Sequence, residues 1–475
     1  MTVDQIRSLG PALSTYLDEF ADCFKTPETR EHLKHYVTGQ LSDLPRKSVE
    51  PMANLAQVPP RTLQEFLSLS DWDGPLLRTR LQQLVAKDHA DPNAIGILDA
   101  SGYPKKGTQT ACVHRQYCGA TGKLDNCVMG VHLAFVSWDN AFRAMLDSEL
   151  FLPESWSEDK KRRDAAQIPP ELIYRPKYEM GLEQLRRARS NGIHFAWVAA
   201  DQEYGGNGVF LAGLESMKQH FVLETKSNLV GWLHPPAKDS DGRLARRHQP
   251  PDEGGGSTIE NLAFHSKVFT AQRWKRFHVK DTGKGPLVWE AKSALWWTER
   301  EGKVIGPYRL VVARNVLDRE QVKYFLSDRT DVKLGVTLHV GFSRWPVERC
   351  LEDSKTELGM DQFECRKYGA ILRHLLVTQV SLLFLARQCL RLRGEKGGRD
   401  GLPGSHRCRG VAGRIAAVPD QSRSATGARR PVDSANAKGQ CRGYAFAHQS
   451  PPPGVACDRH SRRTPDLLPA TMIAA

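Results

Sequence analysis

From the start of the chain, apolar residues recur at helical spacing. Ile6, Leu9, Leu13, Leu17 and Phe20 form one stripe, and Thr26-Pro27-Glu28 reads as a helix start. The pattern predicts a helical segment down to about Asp91. Inside it, Ser48–Ala56 and Arg61–Leu69 are two short helical stretches joined by Val58-Pro59-Pro60, within Arg46–Leu69. A DNA-binding helix-turn-helix and a plain helical bundle both fit that arrangement. At Ala94 the period changes to short apolar runs, Ile95–Leu98, Val128–Val136 and Phe195–Ala200, with helical stretches such as Glu179–Arg189 between them. That alternation predicts an α/β domain.

The stretch PPAKDSDGRLARRHQPPDEGGGS, residues 235–257, has almost nothing to bury and reads as a loop or linker. Beyond it, Lys267–Thr270, Leu287–Ala291, Ser293–Thr298, Tyr308–Ala313 and Val322–Leu326 read as strands rich in Val, Trp and Tyr. They predict a β-rich insertion that interrupts the α/β domain. Helical periodicity resumes after Asp331 and runs through Ser343–Lys355 to Arg393. The expected organisation is a helical, DNA-binding region over 1–91, the first part of the α/β core over 92–234, linker and insertion over 235–330, and core helices over 331–393.

Residues 394–475 differ in kind, with neither helical nor strand period. Residues 395–475 hold thirteen Lys or Arg and six Asp or Glu, a net +7 out of the chain's +13. A disordered DNA-attracting tail is one reading of this segment; out-of-frame translation after a frameshift, which accounts for its Arg, Pro, Gly, Ala and Ser, is preferred.

Composition narrows the function classes. In 475 residues, 67 Lys and Arg outnumber 54 Asp and Glu, which favours an anionic partner such as nucleic acid. The N-terminus lacks the pattern of a secretory signal, so a cytoplasmic location is expected. The most apolar stretch, Ala370–Leu390, contains Arg373, His374, Gln379 and Arg387, which are costly in a bilayer, so it reads as a buried helix. The ten cysteines contain no Cys-x-x-Cys pair, and Cys112, Cys118 and Cys127 lack zinc-site spacing, so all are expected as ordinary thiols.

Candidate chemistry starts with two aspartates. Asp99 follows the run Ile95–Leu98, and Asp201 follows Phe195–Ala200, which sets both carboxylates at the ends of predicted strands, where open α/β sheets place their sites. A single aspartate there is usually a cap or turn former; two of them can share a site. Phosphodiester cleavage by two divalent ions needs such oxygen ligands, with Mg²⁺ or Mn²⁺ as the suitable metals. A third carboxylate is available on the helix after Asp331, where Arg344, Glu348 and Lys355 fall at i, i+4 and i+11 and share a face. Spacing by itself favours the plainer reading, a solvated Arg344–Glu348 ion pair. Glu352 and Asp353 are rival third carboxylates, with Glu348 preferred.

The segments LDASGYPKKG, RQYCGATGKLDNCVMGVHLAF, WVAADQEYGG and RWPVERCLEDSKTELGMDQFECRKYGAILRH resemble, in order, the blocks of DDE insertion-sequence transposases. The nearest branch is the one related to the insertion sequences numbered four and seven-hundred-one, and the resemblance covers roughly Thr26–Leu392. It implies an RNase H-like catalytic core interrupted by a β-rich insertion and preceded by a helical N-terminal domain. It also implies that Asp99, Asp201 and Glu348 are catalytic, holding two Mg²⁺ or Mn²⁺ ions, and that Arg344 and Lys355 of a Tyr-x2-Arg-x3-Glu-x6-Lys signature contact DNA phosphates. The signature Tyr is Gly341 here, with Phe342 as the nearest substitute.

In this family an insertion-domain aromatic can stack on a flipped base; Trp289, Trp296 and Trp297 are the candidates, with core packing the preferred role. Lys105 and Lys106, in the turn after Asp99, form a further candidate phosphate clamp beside the plain reading of a solvated loop. The implied activity is cutting at the inverted-repeat ends of an element and joining to target DNA. The expected partners are double-stranded DNA and a second copy of the chain on paired ends, with no membrane and a nucleoid-associated location in a bacterial cytoplasm. Two rivals stand beside this: a remnant that binds DNA without cutting it, and a glycosidase using Asp99 and Glu348 as an acid and base pair, which the basic charge, Arg344 and Lys355 oppose.

Overall fold

The computed structural model describes residues 3–236, 256–282 and 285–394, which lie in one compact unit. The expected tail, apart from Gly394, and most of the expected linker lie outside the described residues. The chain opens with six helices: α1 (Val3–Arg7), α2 (Leu9–Asp18), α3 (Pro27–Leu41), α4 (Val49–Ala56), α5 (Pro60–Ser68) and α6 (Gly74–Asp88). The Thr26 side chain accepts from the Thr29 amide and Asp73 accepts from Leu76, so two of these starts are capped from the sequence itself.

Next come β1 (Ile95–Pro104), β2 (His114–Cys118), β3 (Lys123–Val136) and β4 (Arg143–Leu150), then the helices α7 (Glu154–Ser157), α8 (Lys160–Ala165) and α9 (Lys177–Ser190). After these, β5 (Trp197–Ala200), α10 (Gln202–Gly205), α11 (Gly208–Ser216) and β6 (Phe221–Thr225) complete two parallel crossovers. The later elements are β7 (Val230–Gly231), β8 (Ser257–Thr258), α12 (Ile259–His265), α13 (Lys267–Thr270), β9 (Lys275–Thr282), β10 (Gly285–Arg300), β11 (Lys303–Asn315) and β12 (Val322–Ser327). The described chain closes with α14 (Leu334–Phe342), α15 (Trp345–Leu358) and α16 (Tyr368–Gly394).

Among the described residues the strands build one ten-stranded mixed sheet in the order β2-β3-β1-β5-β6-β12-β11-β10-β9, with β4 also paired to β3. β1, β5 and β6 are mutually parallel, and the other pairings are antiparallel. The strands expected as an insertion therefore extend the same sheet, because β12 pairs antiparallel with β6.

Three local expectations are corrected. Lys267–Thr270 is a helical turn rather than a strand, since the Ser266 side chain accepts from the Phe269 amide and caps it. Leu287–Ala291 and Ser293–Thr298 are one strand: the charge that broke the apolar run, Lys292, is buried within β10 with its ammonium 2.7 Å from the Phe269 carbonyl. The helix expected through Ser343 divides there into α14 and α15.

α16 lies at the centre of the helical layer. It packs on α3, α5, α6, α15 and β4, and one apolar cluster runs from Leu9 through the sheet strands to Leu385. Its length and composition would let it cross a bilayer, yet its polar residues turn inward to protein partners. Tyr36 Oη lies 2.8 Å from His374 Nδ1, Gln40 Nε2 donates to Thr378 at 2.7 Å, and Tyr16 Oη donates to the Val380 carbonyl at 2.8 Å. Each bond satisfies a buried polar group that would otherwise cost about 1 to 3 kcal/mol.

Candidate active site

The parallel register brings the aspartates together. Leu98 is opposite Ala200, and Ala200 is opposite Leu223, so Asp99, Asp201 and Glu224 follow in one row across three neighbouring parallel strands. The expectation that Asp99 ends its strand is corrected: β1 runs on to Pro104 along β3, and only its parallel pairing with β5 stops at Leu98. Asp201 does end its strand, and its Oδ1 accepts from the Glu203 amide at 2.9 Å to cap α10. Gly205 lets α10 press onto β6, where a Cβ would sit 2.0 Å from the Glu224 carbonyl oxygen.

α15 brings the remaining charged groups onto this row. Arg344 Nη1 lies 3.3 Å from Asp99 Oδ2, and Arg344 Nη2 lies 2.5 Å from Glu348 Oε1. The Arg344–Glu348 contact is the i, i+4 ion pair, and its guanidinium is also the bridge to Asp99. Arg344 Nε is 3.9 Å from Glu224 Oε2, and Lys323 Nζ holds both Glu224 oxygens at 2.8 Å.

Burial dominates the electrostatics. Desolvation raises the Asp99 carboxyl to about 7, opposed by Arg344 and reinforced by Asp201. The Asp201 carboxyl is also raised, chiefly by burial. Burial works against the Arg344 charge, but Asp99, Glu348, Glu224 and Asp201 outweigh it and raise its pKa.

The other expected residues are placed as follows. Lys355 Nζ donates to the Gly102 carbonyl at 3.2 Å, three residues along β1 from Asp99, above the Tyr103 ring. Lys105 is turned inward, its Nζ 2.8 Å from the Asp361 and Phe363 carbonyls and its charge over the Phe363 ring; burial lowers it to about 8. Lys106 is exposed. Asp353 is buried and pairs with Arg349, which also binds Glu352, so both rival carboxylates point to that arginine.

Trp289 and Trp296 are buried and Trp297 is half-buried. A Cβ at Gly341 would come within 2.9 Å of Phe325 Cδ1, and Phe342 packs inward on Trp289 and Phe325. The exposed aromatic beside Arg344 is instead Trp345.

Glu224 and Lys323 escaped the sequence reasoning. The signal for Glu224 was the same one used for the aspartates, an acid after the apolar start of a strand, in Phe221-Val-Leu-Glu224. A cavity of about 640 Å³ opens beside the row, lined in part by Gln202, Glu224, Arg314, Arg319 and Lys323. Among the described residues no three His, Cys, Asp or Glu side chains form a ready cage for one metal ion. Asp99 and Glu348 are carboxylates of the kind that hard divalent cations take, and they already share one cation, Arg344.

A mixed α/β sheet with a row of acids at the ends of its parallel pairings fits a nuclease fold with a carboxylate site. The DDE superfamily endonuclease family matches residues 19–286, and the chain belongs to that family. It is also 31% identical over 230 residues to a protein of Microchaete diplosiphon described as a probable transposase for insertion sequence element IS701. That stretch is 47% of this chain and 57% of the relative, so the chain spans less than two thirds of its length. The likeness is to an insertion-sequence transposase.

Proposed function

We propose that the protein is an insertion-sequence transposase. In this reading it binds the inverted-repeat ends of its element as a dimer, cuts phosphodiester bonds at an RNase H-like core, and joins the freed 3′-hydroxyl to target DNA. The observation that carries the reading is the row of Asp99 and Asp201 on adjacent parallel strands, with Glu348 tied to Asp99 through Arg344.

Asp99, Asp201 and Glu348 would hold two Mg²⁺ or Mn²⁺ ions, which supply an activated water and a stabilised leaving oxygen when bound. The chain's own contributions are charge and position. β1 and β5 fix the aspartates at one level, and α10 anchors Asp201 through its cap. Arg344 and Lys355 offer cations for the phosphates that flank the cut; the Lys355 ammonium has three donors and spends one on Gly102. β4-β3-β1-β5-β6 is read as the RNase H-like half of the sheet, β9–β12 as the insertion, and the helices within residues 1–91 as the end-binding region. Cytoplasmic, nucleoid-associated DNA is the expected setting.

The test is a nicking assay on duplexes carrying the element's ends. Asp99→Asn, Asp201→Asn and Glu348→Gln should each abolish Mg²⁺-dependent cutting while end binding persists. Full cutting by any one of them would remove that residue from the site. Gly341, in place of the signature tyrosine, favours the rival reading of a remnant that binds without cutting. Wild-type protein that binds ends but never nicks them would establish that rival.

A further inference from the structure

We propose that Glu224 is a positioning residue for the acidic site: it takes over the Arg344 guanidinium when a divalent cation occupies Asp99 and Glu348. The inference rests on the reading that these carboxylates bind metal. It adds that the site exchanges one cation for another, and that an acid outside the triad makes the exchange possible.

Each nitrogen of the Arg344 fork faces a different acid. Nη1 is 3.3 Å from Asp99, Nη2 is 2.5 Å from Glu348 and Nε is 3.9 Å from Glu224. The first two contacts use oxygens that a metal ion would need. The third is at the outer limit of an ion pair and can shorten.

Arg344 is largely buried, with a side chain 19% exposed, so a guanidinium pushed off Asp99 and Glu348 needs another anion nearby. Of the acids in direct reach of Arg344, Glu224 is the one outside the proposed ligand set. Its place is fixed from two sides: β6 sets it in the row beside Asp201, and Lys323 from β12 grips both its oxygens at 2.8 Å. Sharing Glu224 with Lys323 makes it the weaker partner for Arg344, so the arginine rests on Asp99 and Glu348 until a stronger cation arrives. In that state Arg344 is a built-in competitor for the metal.

The experiment measures Mn²⁺ binding to the full chain without DNA, by electron paramagnetic resonance of the free ion, for wild type, Arg344→Gln, Glu224→Gln and the double variant. Arg344→Gln should bind Mn²⁺ roughly tenfold more tightly, and Glu224→Gln about threefold more weakly, the scale expected for coupled ion pairs. In the Arg344→Gln background, the Glu224 substitution should have no effect. Equal weakening in both backgrounds would make Glu224 a direct ligand or a bulk charge and overturn the proposal, as would an Arg344→Gln protein that binds no more tightly.

Asp99→Asn separates the two levels of the argument. If wild type shows no Mn²⁺ binding that this substitution removes, the metal reading falls and the exchange with it. If binding depends on Asp99 but the cycle shows no coupling, the exchange alone falls. Should Glu224→Gln fail to fold, Glu224→Asp keeps the charge with a shorter reach and must weaken Mn²⁺ binding only when Arg344 is present.

Discussion

Replacing Asp99 by Asn should stabilise the metal-free protein, and the gain should grow with pH. Burial lifts the Asp99 carboxyl from an ordinary 3.8 to about 7. Between those values the unfolded chain has released a proton that the folded chain still holds, so folding loses stability as pH rises through this window. The full difference corresponds to roughly 4 kcal/mol, of which about 2 to 3 kcal/mol accrues between about pH 5 and pH 8. Asparagine copies the shape of the protonated acid and carries no such penalty, although it forfeits the ion pair with Arg344. The assay is urea unfolding followed by tryptophan fluorescence in a chelator, at steps across that pH range, for wild type and Asp99→Asn. The wild-type curve should fall relative to the variant until about pH 7 and then run parallel. Curves parallel throughout would refute the argument, because they would mean that Asp99 ionises in the fold as easily as in the unfolded chain.

Gly341→Tyr, which restores the signature aromatic, should lower stability by about 1 to 3 kcal/mol because its Cβ meets Phe325, and a melting curve checks this. Lys355→Gln should weaken binding to end DNA and reduce the slope of log affinity against log salt by about 1, if its ammonium reaches a phosphate; an unchanged slope would confine Lys355 to its bond with Gly102. Tyr36→Phe should cost about 1 to 3 kcal/mol in chemical denaturation by leaving His374 Nδ1 without its buried partner. A variant as stable as wild type would mean that α3 does not need that bond to sit on α16.

The part of the site legible in the sequence was the part built from local pattern. Apolar runs closed by Asp99 and Asp201 announced strands with acids beyond their apolar runs, and Arg344 and Glu348 at i, i+4 announced a shared helical face. These are consequences of strand and helix periods, which any window of the chain contains. Where a polar contact overrode the period, the pattern misled. Lys292 looked like a strand break because nothing local shows that the Phe269 carbonyl will receive its ammonium. Lys267–Thr270 looked like a strand because its β-branched and aromatic residues outweighed the cap offered by Ser266.

What the tertiary structure alone decided is which acids meet, and through which cation. Leu98 opposite Ala200 and Ala200 opposite Leu223 are register facts between strands about 100 and 25 residues apart in the chain, and they put Glu224 beside the two aspartates. The Arg344 bridge to Asp99 closes a separation of 245 residues. The sequence determined by itself that there would be strands, acids beside them and a charged helix, because local periodicity and charge are written residue by residue. The row of carboxylates and its bridge to the Arg344 guanidinium arise only when the sheet aligns and burial removes the water that would otherwise screen these charges, and neither happens within one segment.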